Sequence, residues 1–305
     1  MRYYTHDDCL LHEMQPGHPE CPDRLSAIGR HLETTSLMQD LEVREARELD
    51  PSLLPLAHTD AYLSLLHDLA PEEGWVAVDP DTTMNPSTLH AASLAAGAVH
   101  EAVQEVLNGE ARRAFCAVRP PGHHAEAAAA MGFCFYNSIA IGACAALSQV
   151  ERVAVLDFDV HHGNGTVDIF RSRPDVLVCS SFQHPYYPHR HVATAAPNIL
   201  NTPLPAGTGG DGFRRAIERD WLPALEQHAP QLILVSAGFD AHVEDPLAQL
   251  NLTEADFRWV TDLIVNAADQ YCDGRVVSAL EGGYDLGALA RSVHVHLEAL
   301  SQGGG

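Results

Sequence analysis

Buried strands alternating with amphipathic helices along the whole chain predict an α/β fold, read as one doubly wound domain. Three observations carry that expectation. Short aliphatic runs at 114–118, 153–156, 176–179, 232–235 and 275–280 have the composition of strands buried on both faces. Helical patterns separate them, as in strand–helix–strand units. The concentrations of His, Asp and Gly fall just after these strands, where open α/β sheets bind ligands. No internal repeat, low-complexity tract or linker interrupts the 305 residues, so a single domain is expected.

Residues 2–5 read as the first strand. The stretch G-H-P-E-C-P-D-R, 17–24, combines two prolines with charge ahead of a helical run at 25–32. It is expected to be a loop with Asp23 as the helix N-cap, and His18 and Glu20 are candidates for a site rim. Tyr62, Leu65, Leu66 and Leu69 fall at helical spacing over 59–69, and Asp60 suits the dipole at that start. A polar loop is expected at 79–86, where Asp81 is either a turn former or a contact to a substrate backbone. The Ala-rich helix after it, 88–107, has a buried stripe of Leu89, Ala92, Ala96, Val99, Val103 and Val106 and ends at Asn108-Gly109.

The strand at 114–118 stops at the prolines of R-P-P-G-H-H-A, 119–125, and a helix over 137–147 follows M-G-F-C-F-Y-N-S. Further on come a helix at 166–170, the strand at 176–179, an aromatic, Pro-rich loop at 180–188, and a strand or edge segment at 198–204. G-T-G-G-D-G, 207–212, lacks the Walker pattern and reads as a loop before a helix at 213–225. The strand at 232–235 runs into S-A-G-F-D-A-H. Thr253 and Asp256 then make a capping-box-like start for a helix over 252–268. The strand at 275–280 ends in E-G-G-Y-D-L before a last helix to residue 300, and the Gly-rich tail, 302–305, is expected to fray.

Composition excludes some classes of function. A formal net charge of −23 argues against nucleic acid, whose phosphates need basic partners. No apolar stretch is long enough to cross a membrane and the N-terminus lacks a signal-peptide core, so a cytoplasmic protein without a membrane partner is expected. Seven cysteines, scattered singly with no C-x-x-C pair, point to buried thiols and away from a disulfide framework or zinc ribbon. The sequence leaves a homo-oligomer open.

The richest chemistry lies in V-A-V-L-D-F-D-V-H-H-G-N-G-T, 153–166. Strand alternation places Asp157, Asp159 and His161 on one face of an extended segment. Two carboxylates and an imidazole converging in a buried position need a counter-charge, and a divalent cation supplies one. Asp240, also delivered by a strand end, is the natural further ligand. His123 and His124 are candidates for proton transfer at a neighbouring strand end; the plain reading of such a pair is a loop without function.

Together, R-P-P-G-H-H-A, G-F-C-F-Y-N, D-F-D-V-H-H-G-N-G-T, S-A-G-F-D-A-H and E-G-G-Y-D-L resemble the zinc-dependent histone deacetylase superfamily, which includes bacterial homologues and acetylpolyamine amidohydrolases. The resemblance spans Gly17 to about Leu300, with the five motifs in the family's order. The resemblance implies an arginase-like α/β domain with a central parallel sheet of eight strands. It implies zinc on Asp159, His161 and Asp240, and moves Asp157 to orienting His123. It also implies one or two structural potassium ions. The first would be held by Asp157, backbone oxygens of Asp159, His161 and Ser181, and the Ser180 side chain; the second by backbone oxygens around Phe170 and Val176.

Two acids and one His leave tetrahedral zinc an open position, the catalytic type of site. By the same resemblance His124 is the general base, His123 an electrostatic partner and Tyr284 the oxyanion donor. Asn164 stands where some branches carry Asp to orient the second histidine, whereas the class II-like branch typically shows Asn. An amide does not raise an imidazole pKa as a carboxylate does, so His124 is expected to be the more easily deprotonated of the pair.

The implied channel is walled by Phe133 and Tyr187, with Gly132 offering a carbonyl to the substrate. Leu247 falls where polyamine-selective relatives place a Glu. The expected reaction is zinc-dependent hydrolysis of acetyl- or acyl-lysine in peptides or proteins. Hydrolysis of small acetylated amines is the rival, and a non-catalytic acetyl-lysine binding module is disfavoured because Tyr284 is present.

Overall fold

The computed structural model describes residues 1–302. The expected tail lies, beyond Gln302, outside the described residues. In chain order the elements are β1 (Arg2–Thr5), α1 (Asp23–Glu33), β2 (Glu42–Glu45), α2 (Asp60–Leu69), β3 (Val76–Asp79), β4 (Thr82–Met84), α3 (Thr88–Leu107), β5 (Arg113–Cys116), α4 (Ser138–Ala146), β6 (Val153–Asp157), α5 (Asn164–Phe170), β7 (Val176–Gln183), β8 (Ile199–Leu204), α6 (Gly210–His228), β9 (Leu232–Ala237), α7 (Glu254–Tyr271), β10 (Val276–Leu280) and α8 (Leu286–Gln302).

Eight strands form one all-parallel sheet in the order β2-β1-β5-β10-β9-β6-β7-β8. Every residue of β5, β6, β9 and β10 is buried, because helices cover both faces of a parallel sheet. These four strands are neighbours. Their C-terminal ends therefore gather the segments that follow residues 116, 157, 237 and 280 onto one edge, the ligand-binding edge of an open α/β sheet.

The single α/β domain and its eight parallel strands agree with expectation; several local details differ. Strand β2, E-V-R-E, has no apolar run and was not foreseen; parallel pairing with β1 makes it a strand. Part of the loop expected at 79–86 is an antiparallel hairpin of β3 and β4. Strand β7 continues through Gln183 because β8 pairs with it that far, so Ser180 and Ser181 lie in a strand. Asp23 occupies the first turn of α1, whose N-cap is Pro22 with no side-chain cap. The 207–212 loop ends early, since α6 starts at Gly210. At α7 the reading holds: Asp256 Oδ2 accepts from the Thr253 N–H at 2.9 Å and from its hydroxyl at 3.0 Å. All seven cysteines are free.

One glycine makes the long helix fit. At Gly97 in α3 a Cβ would lie 1.8 Å from the Arg47 carbonyl oxygen and 2.8 Å from the Leu49 nitrogen, both backbone atoms. Gly97→Ala must push the 47–49 segment away, a form of overpacking. Its urea midpoint is expected to fall by the equivalent of about 1–3 kcal/mol; an unchanged midpoint would contradict the contact.

Candidate active site

Strand β6 ends at Asp157, so alternation does not extend to Asp159 and His161. They meet instead through successive Asx turns, in which an Asp side chain accepts from the backbone two residues on. Asp157 Oδ1 accepts from the Asp159 N–H at 3.1 Å, and Asp159 Oδ1 from the His161 N–H at 2.8 Å. Asp240, beyond β9, is tied to the same turn by accepting from the Val160 N–H at 2.9 Å. The Gly282 N–H, beyond β10, donates to Asp159 Oδ2 at 2.8 Å. A Cβ on Gly282 would come within 2.1 Å of Asp240 Oδ2, so only glycine lets the backbone cradle these carboxylates.

Asp159, His161 and Asp240 are buried, and their potential ligand atoms all lie within 4.8 Å of one another. His161 Nδ1 is 3.2 Å from Asp159 Oδ1 and 3.1 Å from Asp240 Oδ2. Two buried acids around a single imidazole, with mixed oxygen and nitrogen donors, fit a divalent ion of the zinc type.

Beside this cluster stand two imidazoles 4.0 Å apart between ring centroids. His123 Nδ1 is 2.9 Å from Asp157 Oδ2, and His124 Nδ1 is 2.7 Å from Asn164 Oδ1. Their environments push them apart. Burial disfavours the His123 cation, but Asp157, Asp159 and Glu281 outweigh it and raise its pKa well above the ordinary value. Burial, then the His123 and His161 charges, hold His124 well below that value.

A pocket opens onto this edge, lined by Asp81, His124, Gly132, Phe133, His161, Tyr186, Tyr187, Leu247 and Tyr284. All five residues expected at the substrate channel are among them. Phe133 adopts φ +69°, following Gly132 at φ +56°, where a Cβ would strike the His124 ring at 2.3 Å. The β3–β4 hairpin holds this unusual turn: Asp81 Oδ1 accepts from the Gly132 N–H at 3.1 Å and Thr82 Oγ1 from the Phe133 N–H at 3.0 Å. Asp81 thus supports the wall as well as lining the pocket. Tyr284 packs edge-on to Phe133 at 5.9 Å, over the Arg24 guanidinium at 5.0 Å, while its N–H donates to Asp245 Oδ2 at 2.6 Å.

His18 does reach the wall, edge-on to Phe133 at 4.6 Å. Glu20 does not form a rim: it is fully buried, and its Oε2 accepts from Arg119 Nη2 at 2.7 Å while Oε1 accepts from Arg24 Nη1 at 3.1 Å. Asn164 begins α5, two residues ahead of the expected helix start at 166. Of the residues expected around potassium, Ser180 Oγ accepts from the Gly163 N–H at 3.4 Å, and Ser181 Oγ is buried without a hydrogen-bond partner. The Phe170 and Val176 carbonyls, with that of Arg173, converge on Asn198 Nδ2 at 2.8, 2.9 and 2.9 Å.

The sequence reading assigned no role to Tyr186, Glu126, Asp245 or Glu281. Tyr186 was legible as a neighbour of Tyr187 in an aromatic loop. The carboxylates were not, because their partners are distant in the chain: Glu281 accepts from the Gly122 and His123 N–H groups at 2.7 and 3.1 Å and from Ser236 Oγ at 3.1 Å.

A parallel sheet that places an acid–His–acid cluster, two buried imidazoles and a tyrosine around one pocket defines a metal-assisted hydrolase. Comparison with known proteins gives the family. The histone deacetylase domain model matches residues 18–300, and the chain belongs to the histone deacetylase family. It is 39% identical over 279 residues to the histone deacetylase-like amidohydrolase of Pseudomonas aeruginosa, covering 88% of this chain and 73% of that protein. It is 37% identical over 298 residues to a probable deacetylase of Archaeoglobus fulgidus, covering 93% and 81%. The crystal structure of the HDA15 HD domain superposes with a TM-score of 0.91 at 30% identity, covering 98% of this chain and 90% of that one. The chain is therefore a hydrolase of the deacetylase kind, from a family characterised by zinc dependence. No helix among the described residues is long and apolar enough to cross a membrane.

Proposed function

We propose that this protein hydrolyses the amide of N-acetyl-lysine or a related acyl-lysine in peptides or proteins, releasing the carboxylate and free lysine. The observation that carries this reading is the pocket: Phe133 and Tyr187 wall it, His124, His161 and Tyr284 line it too, and so does Leu247, an apolar residue at the position that the family resemblance matches to a Glu of polyamine-selective relatives. Asp159, His161 and Asp240 would hold zinc, which when bound polarises the scissile carbonyl and makes water a stronger acid. His124 receives the water proton and returns it to the leaving amine. His123, oriented by Asp157, holds compensating positive charge next to it. Tyr284 Oη donates to the oxyanion as the carbonyl carbon becomes tetrahedral. Potassium would be held by Asp157, Asp159, His161, Ser180 and Ser181, and a second ion near Phe170 and Val176.

Asp81 in the pocket and the acidic chain favour one rival, hydrolysis of small acetylated amines, since both attract cations. A panel of acetyl-lysine peptides, longer acyl-lysine peptides and acetylated polyamines, assayed with chelator and then with zinc, separates the two. The peptides are expected to be turned over best, with activity lost on chelation and regained with zinc. A strong preference for acetylputrescine over every lysine peptide would transfer the assignment to small amines, and indifference to chelator would remove the metal.

Tyr284→Phe keeps the ring between Phe133 and Arg24 but removes the hydroxyl. With the oxyanion donor gone, kcat on the best peptide is expected to fall about 10²–10³-fold while KM changes little. A rise in KM at unchanged kcat would make Tyr284 a wall residue only.

A further inference from the structure

The amide of Asn164 has to be oriented, and the structure contains a group that orients it. A carboxylate at this position would accept from His124 with either oxygen. An amide accepts with one end and donates with the other, and the two orientations assign the imidazole proton to different nitrogens. Three acceptors surround Asn164 Nδ2: Glu126 Oε1 at 2.8 Å, Met131 Sδ at 3.2 Å and the His124 carbonyl oxygen at 3.4 Å. That leaves Oδ1 facing His124 Nδ1 at 2.7 Å, so Nδ1 carries the proton and Nε2 is bare.

Glu126 is itself buried and held from its other side. Its Oε2 is ion-paired with Arg190 Nη2 at 2.9 Å, and His191 Nε2 lies 3.3 Å from Oε1. Arg190 and His191 follow Tyr186 and Tyr187 in the chain, in the segment between β7 and β8 that lines the pocket. We propose that Glu126 is a positioning residue, which fixes the Asn164 amide and through it the tautomer that leaves His124 Nε2 free to accept a proton. The inference rests on the reading of His124 as the base.

The polarity of this relay predicts the effect of an isosteric change. In Glu126→Gln the Arg190 guanidinium, which only donates, draws the new side chain's oxygen to itself and turns its NH2 toward Asn164. Asn164 must then present Oδ1 to Gln and NH2 to His124, which moves the ring proton to Nε2. A carboxylate at 164 accepts from both neighbours, so Asn164→Asp repairs the relay in the Glu126→Gln background. In the wild-type background the same change sets two carboxylates against each other.

The test is a double-mutant cycle on zinc-loaded protein, with an acetyl-lysine peptide and nitrogen-15 NMR of the labelled histidines. Glu126→Gln is expected to lower kcat about tenfold or more, within what a positioned base contributes, with KM inside about twofold. In the Asn164→Asp background the same substitution is expected to leave kcat unchanged or raise it. A loss of the same factor in both backgrounds, or wild-type kcat in Glu126→Gln, overturns the proposal. The wild-type spectrum tests it without any variant: His124 is expected to be protonated at Nδ1 and bare at Nε2, and the opposite tautomer overturns it. His124→Ala serves as the control. If it is inactive while Glu126→Gln is fully active, only the positioning role falls; if it is fully active, the base assignment itself falls.

Discussion

Replacing His124 by Ala is expected to lower kcat on an acetyl-lysine peptide by about 10²–10⁴-fold, with zinc content unchanged. The ring lines the pocket yet is outside the acid–His–acid cluster, so on the proposed reading its removal takes away the proton acceptor and leaves the candidate metal ligands in place. His123→Ala is expected to cost less, since Asp157 and its neighbours hold His123 in the charged form, which has no lone pair to accept with. The pH profile carries the same distinction. Burial and the nearby imidazoles keep His124 well below its ordinary pKa. A base must be neutral to act, so activity is lost only as pH falls through that lowered value, and the acid limb of kcat/KM belongs below pH ~6.5. Retention of more than half the wild-type kcat by His124→Ala would remove it as base, and an acid limb above 7 would assign the titration to another group.

What the sequence revealed of the site follows from where physics acts locally. Short aliphatic runs ending in Asp, His and Gly mark buried parallel strands, and the fold rule for such sheets puts their C-terminal ends together; Asp240 was reached in this way from a strand end some eighty residues past Asp159. The same local reasoning misplaced details that depend on a partner. Alternation put Asp159 and His161 on a strand face, whereas Asx turns beyond β6 bring them together. Strand β2 is invisible in E-V-R-E because its pairing with β1 supplies what its side chains do not. Glu20 looked like a surface carboxylate until Arg119, 99 positions away, buried it. Glu126 passed unnoticed for the same reason: a buried acid is recognisable only with its cations and donors assembled around it, and those of Glu126 come from 164 and 190–191. Periodicity reports burial of apolar faces, and charge partners across the sheet edge leave no periodic trace.

Asp240→Asn is expected to abolish zinc retention and activity together. The substitution keeps the oxygen that accepts from the Val160 N–H and replaces the one facing His161 Nδ1 with an amide nitrogen, so the turn survives while a ligand charge is lost. Zinc that binds the native form at about a thousand times its Kd stabilises it by about 4 kcal/mol. For a chain of this size that corresponds to a rise in Tm on the order of 10 °C on adding zinc to the metal-free wild type. The variant is expected to show no rise and no bound zinc after gel filtration. The sign reverses without metal. Burial and the Asp159 carboxylate push the Asp240 pKa up by more than the His161 imidazole between the two acids draws it down, so on balance the Asp240 charge is opposed in the metal-free protein. Removing one charge relieves that opposition, so the metal-free variant is expected to melt at or above the metal-free wild type. A variant that retains one zinc per chain would remove Asp240 from the ligand set. A metal-free variant that melts well below its wild-type counterpart would show instead that the carboxylate holds the fold by contacts independent of the ion.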